Sequence, residues 1–325
     1  MFMLTASAAL LLAAGAFPET HASSGAQEAA EVDVVTTGTD SSHRMTVPVQ
    51  IGAHGPFRFV IDTGSQNTVL AKSVASQMAL LPSGRATVVG VAGREHVDTV
   101  QIEEIGLGRR FYYGLTAPLL ERADIGADGI VGIDGLQDQR VLLDFKQNLM
   151  AIGDSESLGG NRGYDIIVTA RRRSGQLIMT NAVIDGVRVD VVIDTGAETS
   201  IGNRALQRAL SHRRTSEQAV LTSVTGQQVT ADVAYGRELD FGGLQIQNVL
   251  LAYTDAPPFE VLELTRRPAM LLGMRELRLF KRVAIDFATR KIMFDLPVGA
   301  PSLRDHLGSM TGGVGGQGAS PTRNY

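Results

Sequence analysis

Apolar and polar residues along this chain alternate in short runs with the two-residue period of strands, and helical periodicity is scarce. Residues 45–51 (Met-Thr-Val-Pro-Val-Gln-Ile) alternate and stop at Gly52. A turn through Ala53-His54-Gly55-Pro56 leads to a second strand over residues 57–61. Residues 73–81 carry the pattern of a short helix. Residues 88–102 read as a hairpin with its tip at Ala92-Gly93-Arg94, and strands over 141–145 and 149–152 follow. The runs are broken by Gly, Asp and Asn, and together they predict an all-β fold.

The pattern then repeats. Val60-Ile61-Asp62-Thr63-Gly64-Ser65 returns as Val192-Ile193-Asp194-Thr195-Gly196-Ala197, so the second Asp-Thr-Gly lies 194 − 62 = 132 positions after the first. Average composition predicts only about 0.1 copies of that tripeptide in a chain of this length. At the same offset, Val32-Asp33-Val34-Val35 falls on Tyr164-Asp165-Ile166-Ile167. With small insertions, Val91-Ala92-Gly93 falls on Val224-Thr225-Gly226, Ile130-Val131-Gly132 on Leu271-Leu272-Gly273, and Leu143-Asp144-Phe145 on Ile285-Asp286-Phe287. Two β-rich units of roughly 125 residues therefore make a duplication rather than a solenoid, which needs at least three repeats. The pattern sets the first unit at 32–157 and the second at 158–298. Residues 23–31 are expected to be a disordered polar lead-in, and 299–325 a disordered Gly/Ser/Pro-rich tail without apolar period.

Each Asp-Thr-Gly follows an apolar run that drives a carboxylate inward, which is costly unless the charge is used or paired. One copy alone would read equally well as an Asx-type turn at a strand end. Two copies in matched contexts make each aspartate the other's expected partner. Asp144 and Asp286 also recur, but each precedes a turn and reads as a turn cap.

Composition narrows the chemistry. The chain has 325 residues, 44% of them hydrophobic, a net charge of −4 with both signs interspersed, 5% aromatics and no Trp. That provides neither a basic field nor stacking platforms for nucleic acid. The absence of Cys excludes disulfides, thiolate nucleophiles and Cys-based zinc sites. The six histidines lack His-Glu-x-x-His spacing, and there is no Gly-x-Ser-x-Gly elbow or phosphate-binding Gly-x-x-x-x-Gly-Lys run. No metal or cofactor is expected. Arg171-Arg172-Arg173 reads as a solvated hairpin loop matching residues 38–41, and Arg213-Arg214 and Arg266-Arg267 as surface pairs.

At the N-terminus, Leu4 to Phe17 is an Ala/Leu-rich apolar run, shorter than the ~20 residues of a spanning helix. Thr20-His21-Ala22 follows as a small-residue cleavage site. Residues 1–22 thus predict a secretory signal peptide, although Met1-Phe2-Met3 lacks Lys or Arg, with an uncleaved anchor or a cytosolic amphipathic start as the alternatives. The expected location is periplasmic or secreted, with no later membrane span.

With its paired Asp-Thr-Gly, a glycine-tipped hairpin after each and an apolar-apolar-Gly triplet late in each half, the chain resembles the aspartic peptidases over about residues 32–297. The short, closely alike halves, and a first hairpin without the tyrosine of pepsin-like flaps, are most similar to a fused, single-chain retropepsin-like protein of the bacterial exported type. The resemblance implies a bilobal acid-protease fold, two pseudo-twofold-related β-barrel lobes with a cleft between them. It implies Asp62 and Asp194 as catalytic residues activating a water for peptide-bond hydrolysis without a covalent intermediate. Thr63 and Thr195 would hold the two loops in register, and Gly64 and Gly196 would allow close approach. Val91, Ala92 and Gly93, with Val224, Thr225 and Gly226, would be flap tips closing over an extended peptide. The triplets Ile130-Val131-Gly132 and Leu271-Leu272-Gly273 would pass beneath the catalytic loops.

The fourth motif position differs. Ser65 is expected to donate its hydroxyl to Asp62, whereas Ala197 offers Asp194 none. A donated bond favours the charged form, so Asp62 is expected ionised and Asp194 protonated. With both lobes in one chain, a monomer is expected, and an intermolecular dimer is the alternative. A catalytically silent peptide-binding module of the cell envelope is the alternative function.

Overall fold

The computed structural model describes residues 2–3, 9–12, 32–210 and 217–297. Most of the expected leader, the lead-in 23–31, the Arg213-Arg214 pair and the tail 299–325 lie outside the described residues. Two nine-stranded sheets carry the halves, and their strand orders match position by position. In the first, the order is Ala9–Leu12, Pro82–Gly90, Gly93–Leu107, Arg110–Leu120, Val69–Ala71, Gly129–Val131, His54–Ile61, Met45–Ile51 and Gly38–Thr39. In the second it is Phe2–Met3, Glu217–Thr222, Gln228–Phe241, Leu244–Tyr253, Ser200–Gly202, Ala269–Leu272, Val187–Ile193, Gln176–Ile184 and Arg171–Arg173. The fold is the bilobal, mostly β architecture that the duplication implies.

The register preserves the repeat. Thr46 faces Val60 in the first half, and Ile178 faces Val192 in the second. A six-stranded sheet joins the halves in the order Ile166–Thr169, Lys291–Asp295, Arg282–Asp286, Arg140–Asp144, Leu149–Gly153 and Asp33–Thr36. Its central pair is antiparallel, with Leu142 opposite Ala284. At this seam Arg140, fully buried, donates from Nε and Nη2 to Asp286 Oδ2 at 3.0 and 2.8 Å.

Local details follow from local chemistry. The first helix is Lys72–Gln77, shorter than residues 73–81 suggest, because Ala79 turns left-handed (φ 53°) and Pro82 disfavours helix at the residue before it. The first hairpin is longer than expected, pairing Pro82–Gly90 with Gly93–Leu107. Arg171–Arg173 is a short edge strand rather than a loop, and the turn itself falls at Ser174 and Gly175. Backbone pairing with residues 176–178 fixes it there. Arg173 meets Glu263 at 2.7 Å and Arg267 lies 3.5 Å from Asp190. Asp144 and Asp286 each accept a turn N–H, from Gln147 and Thr289 respectively, both at 2.8 Å.

Among the described residues no helix is long and apolar enough to cross a membrane.

Candidate active site

Each Asp-Thr-Gly sits where a buried strand ends in the middle of its sheet. Residues 59–61 are buried, as are 190–193, so each chain segment delivers its aspartate into the interior. The apolar-apolar-Gly triplets run parallel beside these strands, with Val131 opposite Ile61 and Leu272 opposite Ile193. Their carbonyls then take the aspartate N–H groups, Asp62 N to Val131 O at 3.1 Å and Asp194 N to Leu272 O at 3.0 Å. Gly132 is required by closeness, since a Cβ there would lie 2.4 Å from the Asn67 backbone.

The loops are pinned to one another by their threonines. Thr63 N donates to Thr195 Oγ1 (3.0 Å), and Thr63 Oγ1 donates to Ile193 O (3.0 Å). Reciprocally, Thr195 N donates to Thr63 Oγ1 (3.3 Å), and Thr195 Oγ1 to Ile61 O (2.8 Å). This grip brings the two carboxylates to the same place. A Cβ on Gly64 would lie 2.8 Å from Asp194 Oδ1 and 3.0 Å from Asp62 Oδ1, and one on Gly196 would lie 2.2 Å from the Asp62 carboxyl. Only glycine leaves that space to the carboxylates.

Both aspartates are buried, 1% and 2% exposed. Each Oδ1 accepts two backbone N–H groups: Gly64 (2.8 Å) and Ser65 (3.0 Å) for Asp62, Gly196 (3.0 Å) and Ala197 (3.1 Å) for Asp194. Burial, reinforced by the charge of Asp194, pushes the Asp62 carboxyl well above the usual range against the pull of the Gly64 N–H, the Arg44 guanidinium and the Ser65 N–H. Burial also raises Asp194, to about 7, opposed by the Gly196 and Ala197 N–H groups, by Arg44 and by a hydrogen bond with Asp62. Two adjoining carboxyls cannot both ionise, so the pair shares one proton.

The side-chain bond expected to divide their roles is absent. The Ser65 hydroxyl donates to Asn67 O at 2.7 Å, a turn two residues on, and does not reach Asp62. Its contribution to the carboxylate is a backbone N–H, which Ala197 matches. The side-chain difference at this position therefore sets no charge asymmetry.

The flap tips meet one another. A Cβ on Gly90 would lie 1.9 Å from Ser223 Oγ, and one on Gly93 2.2 Å from Gln227 Oε1. Gln227 Nε2 lies 3.4 Å from Arg94 O, and Arg94 reaches across to Glu260 of the second half at 2.6 Å. Val91, at the first tip, is 1% exposed and belongs to an apolar cluster with Ile178, Val192, Ala197 and Leu271. Ala92 and Gly93 are half-buried. At the second tip Val224 is buried, Thr225 half-buried and Gly226 exposed. The hairpins are in a closed position, each reaching toward the opposite half.

A family model described as aspartyl protease matches this chain twice, over residues 47–134 and 180–275, one match on each Asp-Thr-Gly half and together more than half of its length. The chain belongs to the aspartyl protease family, in its retropepsin-like branch. It is 27% identical over 109 residues to "Protein DNA-DAMAGE INDUCIBLE 1" of Arabidopsis thaliana, a match covering 31% of this chain and 25% of that protein. The matched region thus spans a quarter of that curated relative's length.

The two matched segments each contain one Asp-Thr-Gly. One residue near the pair escaped the sequence reading. Arg44, 2% exposed, extends toward the Asp194 loop from the first half. The repeat held a signal for it, because at the same offset the second half carries a neutral Gln176.

Proposed function

We propose that this chain is an aspartic endopeptidase that hydrolyses peptide bonds with a water activated between Asp62 and Asp194. The observation that carries this reading is the pair itself: two buried carboxyls from separate halves, both bordering Gly64 and both raised by burial. The ionised Asp194 carboxylate takes a proton from water as the resulting hydroxide oxygen attacks the scissile carbonyl carbon. Asp62 gives its proton to the carbonyl oxygen, producing a neutral gem-diol. Collapse returns a gem-diol proton to Asp62, protonates the departing amine from Asp194, and leaves the dyad as it began. No bond forms between enzyme and substrate. Closed flaps exclude bulk water and offer strand edges to an extended peptide.

Both halves of the dyad lie on one chain, so a monomer suffices. Lobes spanning 32–157 and 158–298, and export by a leader over 1–22, complete the proposal and rest on the sequence repeat and the N-terminal apolar run.

The test is cleavage of a mixed peptide library by the purified full chain beside Asp62→Asn and Asp194→Asn. Activity in the wild type and loss of at least about 10³-fold in both variants is expected. Activity surviving in either variant sinks the dyad assignment. Saturable peptide binding without cleavage by the wild type would instead favour a silent peptide-binding module.

A further inference from the structure

The two halves share their fold and their motif, but among the described residues only the first places a buried cation against the other half's Asp-Thr-Gly loop. Arg44 is 2% exposed. Its Nε and Nη2 lie 2.8 and 2.6 Å from Asp40 Oδ2, while Asp40 Oδ1 takes the N–H groups of Ser42 (3.0 Å) and Arg44 (2.8 Å). Nη2 also donates to Ile125 O, at the end of helix Arg122–Ile125. Nη1, the end that Asp40 leaves free, points at Gly196 O across the lobe boundary at 3.5 Å. The guanidinium of the first half therefore braces the Asp-Thr-Gly loop of the second.

The register identifies what stands at the equivalent place. Because Thr46–Val60 and Ile178–Val192 are matched pairs, Arg44 corresponds to Gln176 and Asp40 to Arg172. Gln176 is buried at 1% exposure, neutral, and its Nε2 has no hydrogen-bond partner. Arg172 turns outward to Asp138 at 3.6 Å. The ion pair has no counterpart in the second half, so it breaks the two-fold symmetry around the dyad.

We propose that Arg44 is a positioning residue of this site: it steadies the Gly196 carbonyl from across the lobe boundary and favours the singly ionised dyad. This rests on the peptidase reading above. Asp40 and Arg44 together are neutral, but their dipole is oriented, with the positive Nη1 end toward Gly196 and the negative end away. A fixed dipole in a dry interior acts more strongly than it would in water. The guanidinium's charge makes both Asp62 and Asp194 more acidic, against the burial that raises them. Other charged groups around the pair are peripheral. Arg278 donates to His43 O at 3.0 and 2.7 Å, His43 Nδ1 lies 3.7 Å from Glu198, and Asp124 precedes Ile125 on the helix that Arg44 caps.

The signs of three variants follow. Arg44→Gln removes the cation and leaves Asp40, so both limbs of the pH profile of kcat/KM move to higher pH, by about one unit. Asp40→Asn keeps the cation and removes its counter-charge, so both limbs move to lower pH. Arg44→Lys keeps the charge but loses the fork, so the limbs stay in place while kcat falls. A merely structural residue would lower activity and thermal stability in all three without opposite displacements. The shift is also read directly by carboxyl 13C titration of the two aspartates, which works whether or not the chain cleaves peptides. Opposite displacements for Arg44→Gln and Asp40→Asn are expected. Unmoved dyad titrations in either folded variant would overturn the proposal, and an inactive wild type with displaced titrations would overturn only the peptidase reading. Should Arg44→Gln fail to fold because Asp40 is left unpaired, Asp40→Asn and the double Asp40→Asn/Arg44→Gln decide alone.

Discussion

Thr63 and Thr195 each satisfy a backbone N–H of the other and a strand-end carbonyl across the lobe boundary. The hydroxyls are buried, so each is replaceable only by a group that both donates and accepts. Thr195→Val leaves the Thr63 N–H and the Ile61 carbonyl unpaired, at about 1–3 kcal/mol for each group. A lower urea midpoint and a large loss of kcat are expected, with Thr195→Ser restoring most of both. Equal stability in the valine and serine variants would show that the grip does not hold the loops.

The dyad makes folding stability fall as pH rises. Both carboxyls are raised in the folded state, so between the unfolded carboxylate value and pH 7 the native protein binds more protons than the unfolded chain. Their contribution is full at low pH and is lost as pH climbs through the folded values. Other buried acids, including Asp134 and Glu276, are raised by burial as well, and they cancel when variants are compared. Urea unfolding at pH 5 and pH 8 should show a steeper decline for the wild type than for Asp62→Asn. The acid limb of kcat/KM, which reports the free enzyme, should lie near the Asp194 value of about 7.

Much of this architecture was legible because the chain states it twice. A single Asp-Thr-Gly is compatible with an ordinary turn, but a second copy at a fixed offset carried strands, hairpin and glycine triplet with it. What stayed hidden depends on choices that residue type leaves open. A serine hydroxyl beside a carboxylate can turn to that carboxylate or to a nearby carbonyl, and Ser65 takes Asn67 O. Arg44 precedes a strand as an unremarkable basic residue, and only tertiary burial aims it at Gly196. Arg140 was hidden in the same way, because its partner Asp286 looked like a turn cap and serves as one as well.

The flap position can be tested at Val91, which is buried among residues of the second half although it sits at a hairpin tip. Val91→Asp places a carboxylate in that apolar cluster, and the hairpin can relieve the cost by swinging outward. The expected result is a fall of at least about 10-fold in kcat/KM with a smaller loss of thermal stability than a core charge causes. Faster hydrogen exchange confined to residues 82–107 would accompany it. Unchanged exchange there, or global unfolding, would mean that the tip is part of the core rather than a moving cover.

The joining sheet depends on an ion pair whose two members are both fully buried. Burial alone would raise Asp286, but the Ser155 hydroxyl, the Thr289 N–H and the Arg140 guanidinium hold it below the usual carboxylate range. Because its folded value is depressed, this group stabilises the fold above the unfolded carboxylate value, and the contribution is lost as pH falls through the folded one. Removing one member is worse than removing both. Asp286→Ala strands the Arg140 charge and should cost about 3–5 kcal/mol, whereas Arg140→Met/Asp286→Leu removes both charges and should recover most of it. Thermal and urea unfolding of the three variants measure this directly. If the double variant were no more stable than Asp286→Ala, the seam would owe its strength to the hydrogen bonds of Asp286 with Ser155 and Thr289 rather than to charge pairing.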